Sequence, residues 1–219
     1  ITEQNTEQQL RQDNYVLSKN TSLKIGTENA LFNIDDNIGT IDQALTDYNL
    51  NDLRPTDKVL DIGGCIGGFC LNIRNKVNSI YVVEPLMTDS LVRNIKLNRA
   101  SNITVLSSDI ALGNNALIYT NCNGKTEVKN GLSLTKIIKL CGGHIDFLKC
   151  DCEGAEWYIQ PNELNDIRRI EIEVHNLDMN HNFADFENVL VTAGFKYTKF
   201  NPNNNERLMI ISANNKYIP

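Results

Sequence analysis

Four side chains in this 219-residue sequence are of a type that suits proton transfer: Asp151, Glu153, Glu173 and His175. A neutral hydroxyl attacks poorly until its proton is removed, and a carboxylate or imidazole in hydrogen-bond reach removes it. His175 has the ordinary pKa best matched to neutral pH, so it leads as general base. Asp151 follows closely, as base or orienting group. Period-2 alternation puts Asp151 and Glu153 on one side of their strand, and Glu171, Glu173 and His175 on one side of the next. By alternation alone the favoured reading of the second set is a solvated face, with Ile170, Ile172 and Val174 buried opposite. A magnesium or manganese ion held by Asp151, Glu153, Glu173 and His175 is the lesser alternative, since spacing does not place all four around a point. A zinc site from Cys141, His144, Cys150 and Cys152 is weaker still, because Cys150 and Cys152 lie in a run that reads as core.

Strands must bring these groups together. Val59-Leu60-Asp61-Ile62 is a buried strand entering Gly63-Gly64, and Ile80-Tyr81-Val82-Val83 is a second, closed by Glu84-Pro85. Ile103-Thr104-Val105-Leu106, residues 145–152 and residues 170–175 follow as further strands. Helical spacing marks Phe69-Leu71-Ile73, Leu91-Ile95-Leu97, Leu134-Ile137-Ile138-Cys141 behind Ser133 as cap, and Phe183-Phe186-Val189-Leu190. Residues 195–200 and 208–212 pair as a closing hairpin. Strands alternating with helices predict an α/β fold, a mostly parallel seven-stranded sheet with helices on both faces and a C-terminal antiparallel hairpin. Residues 51–219 form that domain. Residues 1–50 are an extension facing the substrate: 1–14 polar, 15–35 loosely defined strands, 41–50 of helical spacing through Ile41, Leu45 and Tyr48.

Ligands of open parallel sheets lie beyond the carboxyl ends of the strands. There Gly63 and Gly67 let the backbone turn tightly, and Glu84 is placed to accept the two hydroxyls of a ribose. A nicotinamide dinucleotide requires G-x-G-x-x-G, and counting from Gly63 the second glycine position is Cys65. The spacing D-x-G-x-x-x-G from Asp61 to Gly67 instead resembles the S-adenosylmethionine loop of class I methyltransferases. That cofactor has no phosphate, and its cationic end suits Asp61. A plain strand–turn–helix with glycines for close packing ranks third.

The later segments resemble one family within that class. Asp146-Phe147-Leu148-Lys149-Cys150-Asp151-Cys152-Glu153-Gly154-Ala155-Glu156 is similar to the D-x-L-K-x-D-x-E-G-x-E signature of FkbM-type methyltransferases. Glu173-Val174-His175 stands where that family has Glu-x-His, and Ser108-Asp109-Ile110-Ala111-Leu112-Gly113 resembles its segment by the adenine. The family's D-x-G-A-N-x-G loop differs here, with Gly64-Cys65 in place of Ala-Asn. The resemblance implies a Rossmann-like three-layer sandwich that binds S-adenosylmethionine through Asp61, Gly63, Gly64, Cys65, Gly67, Phe69, Glu84, Pro85, Asp109, Ile110 and Asp151. It also implies O-methylation of a sugar, glycan or related small molecule, with His175, Asp151 and Glu173 at the reacting centre. It favours a site reading for Glu173 and His175, though not for Glu171. Lys149 is read as the partner of an acid, and Trp157 and Tyr158 as packing rather than a sugar platform. The alternatives are a nicotinamide-dependent oxidoreductase, or a non-catalytic cofactor-binding or interaction module of a larger protein, which a pocket plugged by residues 15–50 would mark.

Composition narrows the partners. The net charge is −6, and Arg168-Arg169 is the sole basic cluster, so a nucleic-acid acceptor is disfavoured. No run of eighteen apolar residues exists to span a membrane. Six cysteines without CxxC spacing read as free thiols of a reducing, cytoplasmic compartment. Cys65 alone is expected within the site.

Overall fold

The computed structural model describes residues 24–26, 30–33, 41, 46–120 and 126–218. The readings made for 1–14, for most of 15–35, for 42–45 of the first helix and for Cys122 lie outside the described residues.

Twelve strands and four α-helices are described, in chain order: β1 Lys24–Gly26, β2 Leu31–Asn33, β3 Lys58–Ile62, α1 Gly68–Ile73, β4 Ser79–Val83, α2 Thr88–Leu97, β5 Ile103–Val105, β6 Ile110–Leu112, β7 Ala116–Thr120, β8 Thr126–Leu132, α3 Leu134–Leu140, β9 Phe147–Cys150, β10 Arg169–His175, α4 Phe183–Thr192, β11 Phe195–Phe200 and β12 Leu208–Asn215. The main sheet has seven strands in the order β11-β12-β10-β9-β3-β4-β5. β10, β9, β3, β4 and β5 run parallel, while β12 is antiparallel to both β10 and β11, which makes the expected hairpin. The central strands are buried on both faces, hence their near-continuous apolar runs.

Alternate residues feed two cores. Leu60, Leu148, Ile172 and Val174 pack with Leu134 and Ile137 of α3 and Phe186 and Leu190 of α4. Val59, Ile80, Val82 and Phe147 pack on the other side with Phe69 and Leu71 of α1 and Leu91 of α2. Each such side chain contributes about 2 kcal/mol by leaving water. This second core also takes Phe32, Ile41 and Tyr48, so the described part of residues 1–50 is packed against the sheet. Asn98, the C-cap of α2, accepts from Leu31 N (2.9 Å) and donates to Leu31 O (2.7 Å), completing the edge of β2 as a strand would.

Three details depart from expectation. The strand foreseen over 145–152 ends at Cys150, because Glu153 and Gly154 adopt left-handed backbone angles (φ 57° and 103°) and turn the chain. Ser133 stands at the N-cap of α3, but its hydroxyl makes no capping bond. β6, β7 and β8 form a separate three-stranded sheet, in the order β6-β8-β7, that the short β6 and the largely polar β8 had hidden.

Candidate active site

Register sets the site. Ile62 lies opposite Val83 on one side and Cys150 on the other, so β3, β4 and β9 end level. β10 pairs with β9 only up to Ile172, opposite Cys150, and runs on for three residues. Glu173 and His175 therefore flank the turn that follows β9. Beyond these ends is a cavity of about 310 Å³, lined by Gly63, Cys65, Glu84, Pro85, Asp151, Cys152, Glu153, Glu173 and His175 at its polar parts and by apolar residues such as Val83, Met87, Ala111 and Leu112. Its volume is at the lower end of small-molecule sites.

The wall beside Gly63 is tight. A Cβ there would stand 1.6 Å from the Asp151 carbonyl oxygen, and φ is 80°, so this position needs glycine. Gly64 and Gly67 abut Val82 and Leu71 instead, which is a packing role. Neither lines the cavity. Phe69 is buried, its ring against Tyr48 and Phe147. Asp109 and Ile110 also stand off the lining, where the next residues, Ala111 and Leu112, take their place.

Glu84 lines the cavity but faces the backbone. Its Oε2 accepts from Cys65 N (2.7 Å), and its Oε1 accepts from Leu86 N (2.7 Å) and Met87 N (2.8 Å). Burial pushes its carboxyl up, against the pull of these amides. A carboxylate has about four acceptor sites, so three amides leave one free on Oε2.

Asp61, fully buried, meets Lys149 across the strands at 3.2 Å. Burial raises the Asp61 carboxyl, with Lys149 opposing. Burial alone would lower the Lys149 ammonium, yet Asp61 and Asp151 together raise it. Lys149 also donates to Gly63 O at 2.7 Å, tying the pair to the glycine loop. The acid expected to meet a cationic cofactor already has a cation.

The reacting groups cluster around Asp151. Its Oδ1 lies 3.9 Å from His175 Nε2, and its Oδ2 lies 3.8 Å from Lys149 Nζ. His175 Nδ1 is 3.3 Å from Glu156, which accepts from Cys152 N and Gly154 N and so shapes the turn. Glu153, largely exposed, reaches Nε2 at 3.8 Å. Burial would lower the His175 pKa, but Glu156, Glu153 and Asp151 overcome it and push it up to about 9. His175 is thus an imidazolium at neutral pH, not a free acceptor. Trp157 donates its indole N–H to the His175 carbonyl and stacks on His181, outside the cavity.

Two residues escaped sequence reasoning. Tyr48, nearly buried, donates to Glu173 Oε1 at 2.8 Å and lies 3.2 Å from Asp151 Oδ2. Cys152 lines the cavity besides Cys65, its Sγ 3.6 Å from that of Cys150.

No protein-family model matches the chain, and no curated protein does. Solved structures do. TYW2 of M. jannaschii, in complex with AdoMet, is similar at a TM-score of 0.54 and 14% identity, over 91% of this chain and 87% of that one. The fibrillarin pre-rRNA processing protein of Methanococcus jannaschii gives 0.54 and 11%, over 91% and 86%. Fibrillarin of Aeropyrum pernix, with natively bound S-adenosyl-L-methionine, gives 0.52 and 13%, over 80% and 74%. The fold is that of class I methyltransferases. At such identities the likeness speaks of the methyltransferase fold and does not single out the FkbM type.

Within this methyltransferase fold, the lining itself tests which ligand fits. Four carboxylates (Glu84, Asp151, Glu153 and Glu173) and His175 line the cavity, with neither lysine nor arginine among the lining residues. That set suits a cationic, phosphate-free ligand and opposes a pyrophosphate. Asp151, Glu173 and His175 also bring one ligand atom each within 4.8 Å of one another, as a divalent cation needs. Yet Tyr48 and Lys149 already face two of those carboxylate oxygens.

Proposed function

We propose that the chain transfers a methyl group from S-adenosylmethionine to a hydroxyl of a small polyhydroxylated acceptor of the sugar or glycan class, as FkbM-type enzymes do. The observation that carries this is the cavity at the ends of β3, β4, β9 and β10, apolar on one side and carboxylate-rich on the other, with neither lysine nor arginine in its lining. Gly63, Cys65 and Glu84 would hold the cofactor's ribose and tail, and Val83, Pro85, Met87, Ala111 and Leu112 its adenine. When bound, the cofactor supplies an activated methyl group with a neutral leaving thioether. Catalysis then rests on positioning and on taking one proton from the acceptor.

Asp151, rather than His175, takes that proton in our reading. The imidazolium of His175, held by Glu156 on Nδ1, faces Asp151 with Nε2 and fixes its orientation. The neighbouring fibrillarin pre-rRNA processing protein suggests RNA as an alternative acceptor class by its name. The net charge of −6 and the acidic lining favour an uncharged acceptor over a phosphate backbone. Of the described residues before 51, Tyr48 reaches the reacting groups.

The test is calorimetric binding of S-adenosylmethionine, its demethylated product and NADH, then mass-shift detection on sugar and RNA acceptors. Added methyl mass on a sugar supports the reading. Methylation confined to RNA would replace the acceptor class, and NADH binding alone would replace the activity.

A further inference from the structure

The Tyr48 hydroxyl has one proton and two carboxylate neighbours. It donates to Glu173 Oε1 at 2.8 Å, the shorter contact, and its oxygen lies 3.2 Å from Asp151 Oδ2. The phenol is held rather than hung. Its ring meets Phe69 edge-on at 5.7 Å between centroids, and the Lys149 ammonium stands 5.7 Å from the ring centre. Glu173 and Asp151 line the cavity, whereas Tyr48 lies behind them. A proton delivered to Asp151 thus has a connected path through Tyr48 to Glu173.

We propose that Tyr48 is the proton link between Asp151 and Glu173, carrying the acceptor's proton from the one carboxylate to the other. This rests on the methyl-transfer reading and names a further residue in it. As the acceptor oxygen forms its new bond to carbon, its proton passes to Asp151. A proton leaves Asp151 Oδ2 for the Tyr48 oxygen while the Tyr48 proton passes to Glu173 Oε1. The net change is one proton moved from acceptor to Glu173, with Tyr48 and Asp151 restored. Glu173 suits the terminal position. Burial, then Asp151, raises its carboxyl to about 7, so it binds a proton more firmly than an ordinary carboxylate.

The charged and titratable groups around this link are Asp47 beside Tyr48, Asp61 on β3, Lys149 on β9, Asp151, Glu153 and Glu156 in and after the turn, and His175 on β10. Across from Glu173, β12 presents Ile210. Lys149 and His175 are the cations near Asp151, and both stay charged as Glu173 titrates.

The experiment follows the Glu173 carboxyl by carbon NMR against pH, its signal assigned by its loss in Glu173→Gln, beside kcat and KM for the acceptor. Wild type should show a midpoint near pH 7. Tyr48→Phe keeps the ring packing and removes the donated bond that holds Glu173 down, so the midpoint should move upward. In turnover, Tyr48→Phe should lower kcat about 100-fold with KM nearly unchanged, in the range of general acid–base effects. Glu173→Gln, which accepts from Tyr48 but takes no proton, should lose the rise in kcat near pH 7. An unmoved midpoint in Tyr48→Phe, or an unchanged kcat, overturns the link. A moved midpoint in a protein that methylates nothing shows the Tyr48–Glu173 bond alone and overturns the methyl-transfer reading, and the relay with it.

Discussion

Asp61 and Lys149 stand opposite each other on β3 and β9, Nζ 3.2 Å from Oδ1, both out of water. Lys149 also holds the Gly63 carbonyl, so this buried pair clamps the loop that bounds the cavity. Removing one member leaves a buried charge alone. Lys149→Met should cost about 3–5 kcal/mol in urea unfolding, and the double change with Asp61→Asn should recover most of it. Additive losses would show that the two are not coupled.

Gly63 and Gly154 separate crowding from backbone angle. Both have positive φ, but a Cβ on Gly154 meets nothing within 4 Å, whereas one on Gly63 would collide with the Asp151 carbonyl. Gly154→Ala should cost about 1 kcal/mol, the price of a left-handed angle. Gly63→Ala should cost several times more and weaken S-adenosylmethionine binding. Equal losses in thermal melts would contradict the crowding argument.

The main sheet was legible because its strands are buried on both faces, and 59–62, 80–83 and 103–106 read as unbroken apolar runs. The paired acids and bases were not. Alternation put Glu171 on a solvated face, yet Glu171 is buried with Arg169 and Ser212. Arg168 and Arg169 in turn bind Asp52, and Arg168 binds Asp57. A period of two cannot tell a charge facing water from one facing a partner 117 residues away. Tyr48 was hidden for the same reason, since Asp151 and Glu173 follow it by 103 and 125 residues.

Stability should fall as pH rises. Burial pushes Glu171 and Glu173 from 4.5 to about 7, and surrounding carboxylates push His175 from 6.5 to about 9. In each case the folded chain binds its proton more tightly than the unfolded chain. The two glutamates therefore lose stability between pH 4.5 and 7, and the histidine between 6.5 and 9. Melting temperatures should peak near about pH 5 and decline towards pH 9. A profile rising across that window would be incompatible with these buried groups.

Removal of divalent cations should leave methyl transfer unchanged, because the bond from Tyr48 to Glu173 and the Lys149 ammonium 3.8 Å from Asp151 weaken the pull of these carboxylates on an ion. Activity lost to EDTA and restored by magnesium would make Asp151, Glu173 and His175 a metal site instead.

Glu84 gives the most direct measurement of the central claim. Its carboxylate holds the amides of Cys65, Leu86 and Met87 at the cavity wall, with one acceptor site left for a ribose hydroxyl. Titration calorimetry of wild type and Glu84→Ala with S-adenosylmethionine should show one site per chain in wild type and at least tenfold weaker binding in the variant. Equal affinity in both, or binding of NADH with none of S-adenosylmethionine, would contradict the placement of that cofactor in this cavity.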